Sequence, residues 1–230
     1  MFPFPFSFFG AGEAPPPPEL ELIDNNFAME FNGVDEYISA GAPDAFNNIN
    51  EASWQFWIKT TSTNTNYSPI FAKDNLGGVR PFLIVMNSGK LRVYLYPNGS
   101  SFTYVNTPTN ITINDGVWNH IVVTYNGTNT VKIYKNGGAP VFTKTNLAGS
   151  GGLQNSSIVE TMFGRADGTM GGAWVYLDAD LDEAAFWKRE LSQDDVQTIY
   201  NATNDNPGKC ANLWSGGLGT GLVYWNRMGD

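Results

Sequence analysis

Cysteine is almost absent from this chain. A single Cys210 in 230 residues excludes an intramolecular disulfide, and with it the small oxidised scaffolds that rely on cross-links. Histidine is equally scarce. His120 stands alone in "VWNHIVVTY", with no serine or cysteine nucleophile at a motif spacing. It therefore reads as a strand histidine hydrogen-bonded at a sheet rather than as a general base. Lysine and arginine number 13 against 22 aspartates and glutamates, a net charge of −9, and they cluster nowhere. A phosphate-binding surface needs concentrated positive charge, so nucleic acid is not an expected partner. No apolar run reaches the length of roughly 18 residues that a membrane helix requires, so no membrane span is expected.

What the chain has is 42% hydrophobic residues, 14% aromatics and 25 glycines. That is enough apolar material for a core without staples, in a composition typical of strands and turns rather than helices. Short strand-like runs follow one another: "FAMEFNG", "DEYISAG", "SWQFWIKT", "SPIFAKDN" and "RPFLIVMNSGKLRVYLYPNGSSFTYVNT". The "NSG" and "PNG" breaks are hairpin turn signals. "GVWNHIVVTYNGTNTVKIYKNGGAPVFTK" repeats the pattern, and "SSIVETMFGRADG" and "WVYLDADLDEAAFWKR" complete the set. A dozen or so strands at even spacing imply an antiparallel sandwich or jelly roll. In "SWQFWIKT", Trp54, Phe56 and Ile58 alternate with Gln55, Trp57 and Lys59, so one of the two faces is expected to be open to solvent.

One helix interrupts this pattern. "LSQDDVQTIYNAT" offers Ser192 as N-cap, Asp194 and Asp195 in the first turn, and Val196, Ile199 and Tyr200 as an apolar stripe. The Gly-rich tail 204–230 ends in one further strand, Leu222–Met228, carrying Tyr224 and Trp225.

The opening "MFPFPFSFFGAGEAPPPPEL" differs from everything after it. Phe2, Phe4, Phe6 and Phe8 alternate with Pro3, Pro5 and Ser7, and Phe9 follows. Proline blocks a helix, so residues 1–19 read as an extended arm with the rings on one side. It lacks a basic leading region and prolines interrupt its apolar stretch, so a cleaved signal peptide is not expected. Burying each ring is worth about 1.5–3 kcal/mol. The four prolines act as a stiff spacer, which makes the row an arm for docking on another surface.

Taken together, "MEFNGVDEYISAG", "SWQFWIKT", "DGVWNHIVVTYNGTNTVKIYKNGG" and "LDADLDEAAFWKRELSQDDVQTIYN" resemble the concanavalin A-like jelly rolls, in their laminin-G-like and pentraxin branch. The resemblance covers about Leu20 to Thr203. It implies an all-β, antiparallel two-sheet jelly-roll sandwich over 20–203, with one short C-terminal helix and ligands bound at a loop rim or on a concave face.

Three chemistries are candidates on that frame. In "DADLDE", Asp178, Asp180, Asp182 and Glu183 supply carboxylates at alternate strand positions, as a glycosidase pair requires. The same segment is the family's ordinary closing strand and lacks the leading glutamate of its hydrolases, so no catalytic residue is assigned. "FAKDNLGG" resembles the pentraxin stretch with an Asp-Asn calcium pair, which maps onto Asp74 and Asn75. "FGRADGTMGG" resembles the later ligand loop, whose last acidic position maps onto Asp167. Other ligand positions fall on Arg165 and Ala166, and an arginine beside such a site repels a cation or replaces it by an ion pair. Calcium is the one cofactor for which the sequence offers ligands. For a glycan, exposed aromatics and amides are needed: Trp57, Asn66, Tyr67, Trp174 and Tyr176. Asn-x-Ser/Thr triplets at Asn98, Asn110, Asn126 and Asn155 are expected by chance in so Asn-rich a chain.

An anchoring arm, a sugar-binding type of body, no disulfide and strong acidity combine into one expectation. The chain reads as a non-enzymatic virion surface component of a bacteriophage, a capsid decoration or tail-fibre protein. Its arm, Phe2, Phe4, Phe6, Phe8 and Phe9, would attach to other virion proteins or to copies of itself, and the body would meet host surface polysaccharide. A secreted or cell-surface lectin-like module and a glycoside hydrolase are the alternatives. The inference to a virion rests on elimination and fold analogy.

Overall fold

Both faces of the strand "ASWQFWIK" are buried. Trp54, Phe56 and Ile58 point into the central core, while Gln55 and Trp57 on the opposite face are covered as well. The alternation is as the sequence indicates, but the expected open face is not. The reason becomes visible in a computed structural model, which describes residues 19–75, 79–97, 103–105, 111–147, 151–166 and 172–230.

The described residues form fifteen strands and one α-helix. The strands are β1 (Leu22–Asp24), β2 (Met29–Asn32), β3 (Ile38–Ser39), β4 (Ala52–Lys59), β5 (Ser68–Lys73), β6 (Phe82–Asn87), β7 (Lys90–Leu95) and β8 (Thr103–Val105). They continue as β9 (Asn119–Tyr125), β10 (Val131–Lys135), β11 (Phe142–Lys144), β12 (Thr161–Phe163), β13 (Asp178–Trp187), β14 (Lys209–Ala211) and β15 (Leu222–Asn226). The helix α1 is Gln193–Asn204, and a 3-10 turn spans Asp44–Phe46. A seven-stranded sheet runs β11-β10-β9-β4-β13-β15, with β2 also on β13, and a six-stranded sheet runs β3-β12-β5-β6-β7-β8. Every ladder is antiparallel, including the small β1–β14 ribbon. The fold is thus an all-β two-sheet jelly roll with one short helix towards the C-terminus.

The "NSG" turn joins β6 to β7 with Ser88 and Gly89 both at positive φ (53° and 69°), the geometry a two-residue hairpin needs. Between the sheets, Phe46 from the 3-10 turn meets Phe71, Phe82, Phe186 and Tyr224 at ring-centroid distances of 5.1–6.4 Å. Trp54 adds Phe82 and Phe186 at 5.0 and 5.5 Å.

Helix α1 starts at Ser192, whose hydroxyl accepts from the Asp195 N–H, while the Asp195 carboxylate accepts from the Ser192 N–H. This reciprocal capping box fixes the helix start. Val196, Ile199 and Ala202 then bury against Val122, Tyr134, Ala185 and Trp187 on the outer face of the seven-stranded sheet. That docking is what covers Trp57, with the Tyr200 ring stacked on it at 5.8 Å. Gly137 in the β10–β11 turn makes room, since a Cβ there would lie 2.6 Å from the Tyr200 ring.

The C-terminal segment joins the same sheet. β13 pairs with β4 along one edge, and its other edge is divided between β2 (Asp178–Leu181) and β15 (Ala184–Trp187). β14 meanwhile pairs with β1. Strands β14 and β15, beyond residue 203, therefore close the sandwich together with β1 and β2.

Because Phe46 fills the junction of five rings with no exposure of its own, Phe46→Ala is expected to cost about 3–5 kcal/mol of folding stability, read from urea or thermal unfolding.

Candidate functional site

The strand β7 reads alternately: Leu91, Val93 and Leu95 enter the core, while Lys90, Arg92 and Tyr94 are half-buried on the outer face of the six-stranded sheet. On that face Ala72, Leu83, Val85 and Ala166 form an apolar floor, with Tyr67, Tyr94 and Trp174 packed against it. Tyr67 and Trp174 come from segments far apart in sequence. They are joined by a parallel bridge in which the Tyr67 N–H donates to the Ala173 carbonyl (2.7 Å) and the Val175 N–H to the Tyr67 carbonyl (3.0 Å). Their rings lie 5.0 Å apart at 33°. Tyr94 meets Tyr67 edge-on at 6.5 Å, and the Arg92 guanidinium lies 5.5 Å above the Tyr67 ring. Among the described residues no helix covers this face, since α1 lies on the other sheet.

Of the expected glycan residues, the structure brings Tyr67 and Trp174 into contact. Asn66, whose N–H donates to Asn64 Oδ1 at 2.9 Å, adjoins them in the chain. Tyr176 is half-buried two residues beyond Trp174. Trp57 belongs elsewhere: it lies on the outer face of the seven-stranded sheet, stacked on His120 at 5.0 Å and on Tyr200. Arg92 and Tyr94 were not anticipated. The alternation in "KLRVYL" carries the signal, because it separates both from the three core residues.

Of the expected calcium ligands, Asp74 closes β5 and is fully buried, with its Oδ1 3.4 Å from Arg80 Nε. Arg80 also donates to the Tyr96 hydroxyl at 3.3 Å. A guanidinium next to this carboxylate supplies the positive charge a cation would bring, so the described residues do not fit a calcium centre. Among them no three His, Cys, Asp or Glu side chains gather at one point. Arg165 lies 4.5 Å above the Tyr37 ring, and it is Arg80, not flagged by the sequence, that is seen pairing with Asp74. Asp167 lies outside the described residues, as do Asn98, Asn110 and the arm residues Phe2, Phe4, Phe6, Phe8 and Phe9. Asn126 has a turn-forming role, its Oδ1 accepting from the N–H groups of Thr128, Asn129 and Thr130. Asn155 exchanges two hydrogen bonds with Asn48.

The acidic strand behaves unlike its alternating pattern. A bulge between Asp182 and Ala185 places Glu183 at φ 50°. Asp178 is exposed, and Asp180 pairs with Lys59 at 3.0 Å. Asp182 accepts from the Glu183 N–H (2.7 Å) and from Asn25 Nδ2 (2.9 Å), and burial pushes its carboxyl up to about 7, helped by the Glu183 and Asp230 charges. Glu183 is also pushed up by burial, but both its oxygens are engaged, by Trp225 Nε1 (2.6 Å) and by Arg227 Nε (3.4 Å). The Cys210 thiol, buried beside Glu183, is pushed up as well. His120 is buried with Nε2 3.1 Å from Gln55 Oε1, and desolvation lowers it to about 3, keeping the ring neutral.

These features define a two-sheet jelly-roll domain with an aromatic cluster on one sheet. Residues 32–197, well over half of the chain, match the Laminin_G_3 profile, described as the concanavalin A-like lectin/glucanases superfamily. The chain belongs to that family. No curated protein matches it in sequence. Similar solved structures include a candidate carbohydrate-binding protein from Bacteroides ovatus (15% identity, TM-score 0.58, covering 90% of this chain and 53% of that one). A heptameric SAP-like pentraxin from Limulus polyphemus shares 20% identity at TM-score 0.54, covering 87% and 90% of the two chains. The receptor-binding domain of botulinum neurotoxin C/D mosaic serotype shares 14% at TM-score 0.56, covering 80% and 46%. The chain thus spans about half the length of the neurotoxin domains it matches. At these identities the likeness establishes the fold. No described helix is long and apolar enough to cross a membrane.

The raised Asp182 carboxyl has a sign that can be measured. The folded chain holds this proton up to about pH 7, against 3.8 for an ordinary aspartate, so its contribution to stability is full below pH 4 and is lost as pH rises through 7. Asp182→Asn is expected to gain on the wild type across that window, on the order of 3 kcal/mol by pH 8, in urea unfolding at stepped pH.

Proposed function

We propose that this chain is a non-enzymatic carbohydrate-binding adhesion module whose platform is Tyr67, Tyr94 and Trp174, with Arg92 at its edge. The observation that carries the reading is the Tyr67–Trp174 ring pair, assembled from two distant segments on a sheet face that α1 leaves uncovered. Half-exposed rings over an apolar floor suit the C–H faces of a sugar, and a guanidinium beside them suits its oxygens. The Bacteroides ovatus neighbour, described as a candidate carbohydrate-binding protein, supports the same direction. The non-enzymatic part rests on Glu183, whose engagement by Trp225 and Arg227 leaves Asp182 without the second working carboxylate that glycoside hydrolysis uses. Binding is independent of calcium, because Arg80 already serves Asp74.

A polysaccharide array tests this. Tyr67→Ala and Trp174→Ala are each expected to lower retention at least about tenfold, as loss of one aromatic contact implies, with wild-type retention equal in Ca²⁺ and in chelator. Unchanged retention in both variants, or reducing sugar released by the wild type and abolished by Asp182→Asn, would overturn the reading.

The finer placement is a bacteriophage particle, with residues 1–19 as the attachment arm. Its support is sequence alone: the Phe2–Phe9 row ahead of Pro15–Pro18, the lone cysteine and the charge of −9. Removing residues 1–18 is expected to leave a folded monomer that no longer joins its assembly, by sedimentation with purified particles. A native N-terminus near Glu13–Pro15 would instead favour an exported lectin-like module.

A further inference from the structure

On the outer face of the seven-stranded sheet, away from the aromatic platform, a cavity of about 350 Å³ opens beside α1. Its lining includes Phe27 and Trp118, exposed by 64% and 37%, together with Trp57, Asp182, Asn25 and Lys209. None of these belongs to the platform. The size is that of small-ligand sites, and the lining sets three aromatic rings among polar side chains.

Two lining residues hold buried polar atoms with no hydrogen-bond partner among the described residues: Trp57 Nε1, a donor on a side chain more than nine-tenths buried, and Asn25 Oδ1, an acceptor. Buried polar groups are normally satisfied, and one orphan of each kind just behind the lining of one cavity is an unusual coincidence. Part of the remaining polar lining is already engaged. Asn25 Nδ2 donates to Asp182, and Lys209 is neutralised by Asp24.

These groups select a ligand class by elimination. An anion would meet the Asp182 carboxylate wherever that group is ionised, and Lys209, the one cation in the lining, already pairs with Asp24. A cation has nothing to accept the Trp57 N–H, and a purely apolar ring leaves both orphans unmade. A hydroxyl group both accepts and donates. A ring of hydroxyls with C–H faces would serve the Trp57 N–H and the Asn25 carbonyl while resting on Phe27 and Trp118.

We infer that this cavity is a second binding site, taking one neutral sugar ring, separate from the platform and independent of that reading. The two orphan atoms are covered in the free protein, so entry requires the Asn25–Ala28 connection between β1 and β2 to move outward. That connection is held at the Asn26 and Phe27 N–H groups by Asp230 Oδ2 (2.8 and 3.3 Å).

The test is a ¹H–¹⁵N correlation spectrum of the full chain with methyl glycosides of glucose, galactose, mannose and N-acetylglucosamine at millimolar concentrations. The Trp57 indole N–H, assigned by its loss in Trp57→Phe, is expected to shift saturably with at least one of them. Phe27→Ala, an exposed and fold-neutral change, is expected to weaken that binding about tenfold, as loss of a stacking contact implies. Trp174→Ala is expected to leave the Trp57 shift intact even as it removes platform binding. No saturable shift with any glycoside overturns the inference. So does a shift with tetramethylammonium chloride alone, a shift that vanishes in Trp174→Ala, or a glycoside-soaked crystal showing only a water between Trp57 and Asn25.

Discussion

Strand β13 carries this fold. Among the described residues it is the one strand paired by three others, with β4 along one edge and β2 and β15 dividing the second. Its two faces belong to different cores: Leu181, Ala184 and Phe186 face the other sheet, while Ala185 and Trp187 face α1. A ten-residue strand with eight residues buried and both edges paired leaves no room for a uniform pleat. The bulge at Glu183 is where the conflict is absorbed. It lets β2 and β15 meet the same edge and turns an acidic pair towards the outer face. Burial then raises both carboxyls, and Trp225, Arg227 and Asn25 supply their hydrogen bonds.

From this one strand follows the division of labour between the faces. Because α1, the β1–β14 ribbon and the C-terminal segment all gather over the seven-stranded sheet, that side becomes a second small core with a cavity at its margin. Among the described residues no helix lies on the outer face of the six-stranded sheet, and there Tyr67, Tyr94 and Trp174 sit half-exposed over small apolar residues. The acidic cluster of β13 hydrogen-bonds the closing strands, Glu183 to Trp225 and Arg227 and Asp182 to Asn25.

Much of the architecture was legible beforehand because it depends on local rules. Alternation in "SWQFWIKT" and "KLRVYL", the positive-φ turn at "NSG" and the Ser192–Asp195 cap each specify their element within a few residues. The site was only partly legible. Tyr67 and Trp174 could be named as candidates, but that they touch each other and not Trp57 depends on a bridge across more than a hundred residues. Trp57 looked exposed because alternation gives two faces without saying what covers the second. Likewise the arginine beside Asp74 is Arg80, brought there by the chain's return into β6, where sequence comparison drew attention to Arg165.

By itself, then, the sequence determined the class: short alternating strands, turn residues at their ends and a single capped helix leave a two-sheet β sandwich as the way to bury so many aromatics. Tertiary structure alone decided which aromatics remain reachable, which carboxylates are spent on holding strands, and that β2 and β15 share one edge of β13. The physical reason is range. Strand periodicity and capping act over a few residues, whereas exposure, ion pairing and desolvation are set by whatever distant segment packs against a side chain.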